Sequence, residues 1–121
     1  MERIVVSQNG AKHITRDFEK GSVSHRRILP HPDGTRVKVT QFEPKQGFGM
    51  ARVVNLTDET VYVVSGQVSV QDLRDGNFIV ANAGALYCIP AGVPFKITAL
   101  ADSVLICMFS AVPGGPLPDS E

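Results

Sequence analysis

The sequence predicts an all-β domain, and three observations predict it. Its 121 residues include 11 glycines and 8 prolines, which fall between short β-branched and aromatic runs, the punctuation of a β barrel or sandwich. The breaks Pro32-Asp33-Gly34 and Arg74-Asp75-Gly76-Asn77 have tight-turn chemistry. A single polar stretch, Ala11–Lys20, has helical character, and ten residues are too few to hold a helix without tertiary support.

In chain order, the first strand expected is Ile4–Ser7, followed by a short helix within Ala11–Lys20; both lie in an N-terminal arm, residues 1–23. The strands of the core, about residues 24–110, are His25–Leu29, Arg36–Phe42, Ala51–Asn55, Thr60–Val64, Gln67–Asp72, Phe78–Asn82, Ala85–Ile89, Phe95–Ala99 and Ser103–Ser110. Ser65-Gly66 and Pro90-Ala91-Gly92 are corners between them. The tail, residues 111–121, contains Pro113-Gly114-Gly115-Pro116-Leu117-Pro118, which is neither helix nor inner strand. It is expected to fray or to fold across an opening.

Composition bounds the function. Twelve Lys and Arg balance twelve Asp and Glu, so phosphate attraction supplies no nucleic-acid binding. A chain of this length holds one core and a single domain, residues 1–121. No apolar run approaches the roughly 20 residues of a membrane helix, and the N-terminus lacks the apolar stretch of a signal peptide. The expectation is a cytoplasmic protein with no membrane partner. Cys88 and Cys107 sit inside apolar runs and are expected to be buried free thiols.

Alternation assigns faces. Glu59 shares parity with Val61 and Val63, and Ala85, Tyr87 and Ile89 share one face. In Ser103–Ser110, Leu105, Cys107 and Phe109 form one face and Val104, Ile106 and Met108 the other. A strand apolar on both faces lies between two layers of one chain, or between a barrel interior and a partner subunit. The second arrangement is a homodimer.

One constellation is more specific. Gly47 is followed twelve residues later by Glu59 and seven after that by Gly66; further on stands Gly84-Ala-Leu-Tyr-Cys-Ile-Pro90-Ala-Gly92-Val-Pro-Phe95. This resembles the two signature motifs of the cupin superfamily. The resemblance implies a small single-domain cupin barrel, a double-stranded β-helix or jelly roll. Metal cupins draw two histidines and a glutamate from the first motif and a histidine from the second. The corresponding positions here read Val53, Asn55, Glu59 and Phe95. His13, His25 and His31 lie in the N-terminal quarter with spacing that suits no metal site on one strand. The expectation is no bound metal and no other cofactor.

From Asp33 to about Phe109 the chain also resembles L-ectoine synthase, a cupin-type cyclase-dehydratase. Ser24-His-Arg-Arg-Ile-Leu29, Val70-Gln-Asp-Leu-Arg-Asp-Gly76, Gly84-Ala-Leu-Tyr87 and Leu105-Ile-Cys-Met-Phe109 carry it. That family binds its metal through a glutamate, a tyrosine and a histidine, and these positions are Glu59, Tyr87 and Phe95. Its substrate pocket falls here on Val23, Thr40 with Phe42, Val54, and Leu117 with Asp119, while Arg27, Cys107 and Phe109 are retained. The lining has turned apolar, which disfavours a small hydrated zwitterion as substrate.

The candidate catalytic residues are therefore Glu59, Tyr87 and Arg27. A carboxylate among apolar neighbours is fitted for proton transfer near neutrality, a buried phenol donates a hydrogen bond, and a guanidinium binds a carboxylate or carbonyl. Turn capping by Glu59 and simple core filling by Tyr87 are the structural alternatives. Thr40, Phe42, Val54, Phe95, Cys107 and Phe109 are the candidate substrate-binding residues. The function expected is a metal-independent cyclase, or a related lyase or isomerase, acting on a largely apolar small molecule. A specialised-metabolite intermediate such as a polyketide, of the kind met in antibiotic biosynthesis, fits that lining. The alternatives are a non-catalytic small-molecule-binding cupin and a metal-dependent ectoine-synthase-like enzyme.

Overall fold

Alternation along each strand leaves one apolar face to bury, and the chain buries it between two antiparallel sheets. The computed structural model describes the backbone of residues 12–18, 22–30 and 36–110 and the side chains of residues 39–50 and 52–109. Among them the elements are all strands: β1 (Lys12–Phe18), β2 (Ser22–Pro30), β3 (Arg36–Glu43), β4 (Gly49–Val53), β5 (Glu59–Ser65), β6 (Gln67–Asp72), β7 (Phe78–Asn82), β8 (Leu86–Ile89), β9 (Phe95–Ala99) and β10 (Val104–Ser110). A six-stranded sheet has the order β1-β2-β3-β10-β5-β8, and a four-stranded sheet the order β4-β9-β6-β7. From β3 onward the chain passes back and forth between the sheets, only β6 and β7 following one another within one. This winding is that of a jelly roll.

β6, β7 and β9 have the bounds read from the sequence. Two expectations are corrected. The helix expected within Ala11–Lys20 is absent, because Lys12–Phe18 is a strand paired with β2 from Lys12 opposite Ile28 to Phe18 opposite Ser22. A ladder partner satisfies backbone groups that a marginal ten-residue helix would leave half unpaired at its ends. The strand expected at Ala51–Asn55 lies instead at Gly49–Val53, where its pairing with β9 slips between Met50 and Val53. Ile4–Ser7 and the tail lie outside the described residues.

The core forms between the sheets. Phe42, Val61, Val63 and Leu105 from the larger sheet pack against Val68, Val70, Phe95, Ile97 and Ala99 from the smaller. Phe48, just before β4, sets its ring edge-on to Phe42, with centroids 5.5 Å apart and planes at 72°, a favoured aromatic geometry.

The corner between β5 and β6 is closely packed. Gly66 has φ of 88°, and a Cβ there would overlap Ser103 and the Asp102 carbonyl oxygen, lying 2.6 Å from Ser103 Cα. The close approach lets Ser103 join two turns. Its Oγ accepts from Gln67 N at 3.1 Å and donates to the Ala101 carbonyl at 2.8 Å, and its own amide donates to the Pro44 carbonyl at 3.0 Å. Gly66→Ala is expected to lower the unfolding free energy by at least about 2 kcal/mol, from left-handed backbone strain plus overlap. Gly47→Ala is the comparison, since φ there is 89° but a Cβ meets nothing within 4 Å. Urea titrations of the two variants check this; equal losses would show that the overlap at Gly66 is relieved cheaply.

Candidate active site on the inner face of the larger sheet

Directly opposed residues of an antiparallel ladder belong to one face, so the pairing of β3, β10, β5 and β8 composes the inner face row by row. One row runs Thr40, Cys107, Val61, Tyr87. The row on one side of it runs Phe42, Leu105, Val63, and that on the other Phe109, Glu59, Ile89. Val61 is the apolar centre, and Glu59, Tyr87 and Cys107 surround it. Glu59 is a diagonal neighbour of both Tyr87 and Cys107, a separation of about 7–8 Å that long side chains bridge.

Glu59 is the first residue of β5 and only 8% exposed, a buried carboxylate beside Val61 and Val63. Asn55, in the loop before it, donates from Nδ2 to Glu59 Oε1 at 2.8 Å. The loop is itself anchored: the Asn55 carbonyl accepts from Gly92 N at 3.0 Å, and Asp58 Oδ1 accepts from Ala91 N at 2.8 Å. The corner 90–92 thus fixes the loop that orients the carboxylate, and the adjacent acids divide, Asp58 exposed and Glu59 buried.

Tyr87 is largely buried. Burial pushes its phenol well above the ordinary value of 10.0, and repulsion from Cys107 and Glu59 in their ionised forms pushes it further. The three groups therefore form one electrostatic cluster, in which the phenol stays protonated. Thr40 is 9% exposed and Cys107 is buried in the same row.

The remaining candidates are placed as follows. Phe42 and Phe95 are buried and Phe109 is partly buried against the core. Val54 lies in the loop after β4 and is 43% exposed. In the ladder Arg27 stands opposite Val39, and its neighbour Arg26 stands opposite Thr40, in the row of Cys107 and Tyr87; the side chains of β2 lie outside the described residues. Cys88, expected to be buried, is exposed, because it pairs with Thr60 and shares that residue's outward face. The sequence reading does not single out Asn55 as a partner for Glu59. Its signal is the Asn55-Leu-Thr-Asp-Glu59 spacing, short enough for a loop amide to reach back to the first residue of the next strand.

The donor set does not suit the metal that a cupin resemblance implies. At the second-motif histidine position stands Phe95, a benzene ring 5% exposed in the core. At the first-motif positions stand Val53, which has no donor, and Asn55, whose amide is engaged with Glu59. Among the described residues no three of His, Cys, Asp and Glu gather as a metal site. First-row ions need several imidazole or carboxylate ligands.

The chain matches no protein-family model, and no curated protein matches it. Solved structures do. An RmlC-like cupin from Shewanella frigidimarina is 20% identical, with a TM-score of 0.66 over 92% of this chain and 94% of that one. The fold is a cupin barrel. Two further structures share it. KdgF from Halomonas sp. is 23% identical, with a TM-score of 0.66 over 81% of this chain and 86% of that one. A mutant of salicylate 1,2-dioxygenase from Pseudoaminobacter salicylatoxidans is 16% identical, with a TM-score of 0.61 over 75% of this chain and 26% of the longer dioxygenase. The cupin fold thus includes enzymes among this chain's structural neighbours, and at these identities the likeness is one of fold.

The raised Tyr87 value sets an alkaline limit on the stability of this barrel. The folded phenol keeps its proton while the unfolded one releases it above about pH 10, so the stabilisation is complete below that pH and is lost as pH rises beyond it, at up to about 1.4 kcal/mol per unit. Unfolding free energy measured from pH 9 upward is expected to fall in the parent chain, and more gently in Tyr87→Phe. Parallel curves would show that Tyr87 ionises in the folded state as readily as in the unfolded one.

Proposed function

We propose that this cupin is a metal-independent cyclase, or a related lyase or isomerase, that acts on a largely apolar small molecule inside the barrel. The observation that supports this reading is the Glu59, Tyr87 and Cys107 cluster on an otherwise apolar inner face, with a phenylalanine where a metal cupin has its last histidine. Tyr87, held neutral, donates a hydrogen bond to a substrate carbonyl and to the enolate oxygen that develops from it. Glu59, aimed by Asn55, takes the proton from the adjacent carbon and returns it at the new position or to the leaving group. Phe42, Phe95 and Phe109 hold the chain of the substrate in a folded conformer and exclude water. A carboxylate or second carbonyl of the substrate is bound from β2, where Arg26 is the arginine in Thr40's row and Arg27 its neighbour.

The chemistry that Glu59 and Tyr87 supply is general acid–base catalysis, and the substrate class follows from the lining. A largely apolar metabolite with one activated carbonyl loses little hydration on entering. A small zwitterion of the ectoine type would be stripped of water at a cost that two polar groups do not offset.

Mass spectrometry of ligands extracted from the purified protein is expected to find an apolar carbonyl compound, and a polar zwitterion there would overturn the substrate class. With that compound as substrate, Glu59→Gln is expected to lower kcat by roughly 10²–10⁴-fold with little change in binding, and Tyr87→Phe to raise the barrier by about 1–3 kcal/mol. Unchanged turnover in both variants would exclude the proton-transfer mechanism. Binding with no turnover in the parent chain would make the protein a binder.

A further inference from the structure

The two sheets meet unevenly along one side. β7 ends the smaller sheet and β8 the larger, and among the described residues each pairs on one flank alone. The connection between them, residues 83–85, is tied to β5. Gly84 N donates to the Val63 carbonyl at 2.8 Å, and Val63 N to the Ala85 carbonyl at 3.0 Å. The seam between the two edges is closed at that end, and no ladder joins β7 to β8 beyond it.

Exposure along β7 shows where the seam opens. Ala81 and Ile79 both face inward, opposite Val68 and Val70, which are buried. Ala81 is 4% exposed but Ile79 is 50% exposed. Across the row from Ile79, Val70 and Ile97 are both out of water, so Ile79 is wet from the seam side. On the other edge Tyr87 faces inward opposite Val61 and keeps part of its surface in water, while Val61 is buried. The seam is also uncharged. Charged residues make up 20% of the chain, yet none occurs from Asn77 to Phe95, the stretch that holds both edges.

We propose that this seam is the passage by which a neutral apolar ligand reaches the Tyr87 phenol, and that Ile79 is its gate and limits the width of what enters. The ligand class rests on the function proposed above; the passage rests on the change in exposure along β7. The end of the barrel that holds Glu59 is barred, because Gly92 N and Ala91 N bond the Asn55 carbonyl and Asp58 Oδ1 across it. Glu59 is accordingly less exposed than Tyr87, and an entering molecule meets the phenol first and the carboxylate second. A charged ligand would cross apolar walls with no partner for its charge. Opening requires a rotamer change at Ile79, a fast event for a side chain half in water, and no strand has to unpair.

The probe is Prodan, a neutral naphthyl ketone whose emission moves to the red when its carbonyl accepts a hydrogen bond. It is expected to bind the parent chain in stopped-flow fluorescence, and Tyr87→Phe to move the bound emission to the blue. Ile79→Trp is expected to slow association and dissociation alike by about tenfold and to leave Kd close to the parent's, since a narrower passage raises only the barrier between free and bound states. Ile79→Ala is expected to speed both. Val80→Trp, on the outward face of the same strand opposite Ser69, is expected to change neither. Unchanged rates in both Ile79 variants overturn the passage, as does equal slowing in Val80→Trp. A bound emission indifferent to Tyr87→Phe, or no binding of Prodan by the parent chain, also overturns it. So does a weaker Kd at an unchanged association rate, which makes Ile79 part of a binding wall. Gated binding in a chain that turns over none of its extracted ligand refutes the catalytic reading and leaves the passage standing.

Discussion

The pairing of β5 with β10 is the constraint on which the rest of this barrel depends. It aligns Val61 with Cys107 and Glu59 with Phe109, and a period of two leaves no intermediate arrangement. A slip of one residue would carry Val61 and Val63 to the outside and turn Glu59 to water, while Tyr62 and Val64 entered the core. The register is held from both ends. At one end Gly66 lets the chain pass close under Ser103, and there the pairing shifts between Val104 and Leu105. At the other, Asn55 and Asp58 tie the loop before Glu59 to the corner that leads into β9.

The catalytic reading rests on what that register does to ordinary side chains. A glutamate, a tyrosine and a cysteine are common enough by composition. Set around one valine, out of water, they place Tyr87 where burial, and then Cys107 and Glu59, raise the cost of ionising its phenol, and Tyr87 is held in its neutral form. Phe95, facing from the other sheet, belongs to the same apolar surround and brings no lone pair to it. The arrangement suits chemistry in which a proton moves and charge is stabilised by a neutral donor.

Much of this is legible in the sequence because strands announce their faces locally. The parity of Glu59 with Val61 and Val63, and of Tyr87 with Ile89, can be read without knowing any partner strand. So can the corners, since Gly47, Gly66, Gly84 and Gly92 all have positive φ and all stand in the two stretches that resemble cupin motifs. What the sequence withholds depends on pairing. Nothing local in Lys12–Phe18 reveals that β2 stands beside it, so the polar stretch reads as helical. The exposure of Cys88 and the Asn55 bond to Glu59 likewise follow from which element lies next to which. Of Arg26 and Arg27, only the ladder tells which stands in the row of Thr40.

The smaller sheet ends in β7, which among the described residues pairs on one side alone, with β6. Phe78, Ile79 and Val80 are all exposed there. Three consecutive apolar residues with unsatisfied backbone groups along one flank form a template for cross-β growth in concentrated solution. The flanking polar residues Asp75, Asn77 and Asn82 serve as gatekeepers that shorten the sticky segment. Colloidal behaviour in this barrel is therefore governed by a different strand from the one that orders its interior, and solubility can be engineered at Val80 without touching Glu59 or Tyr87.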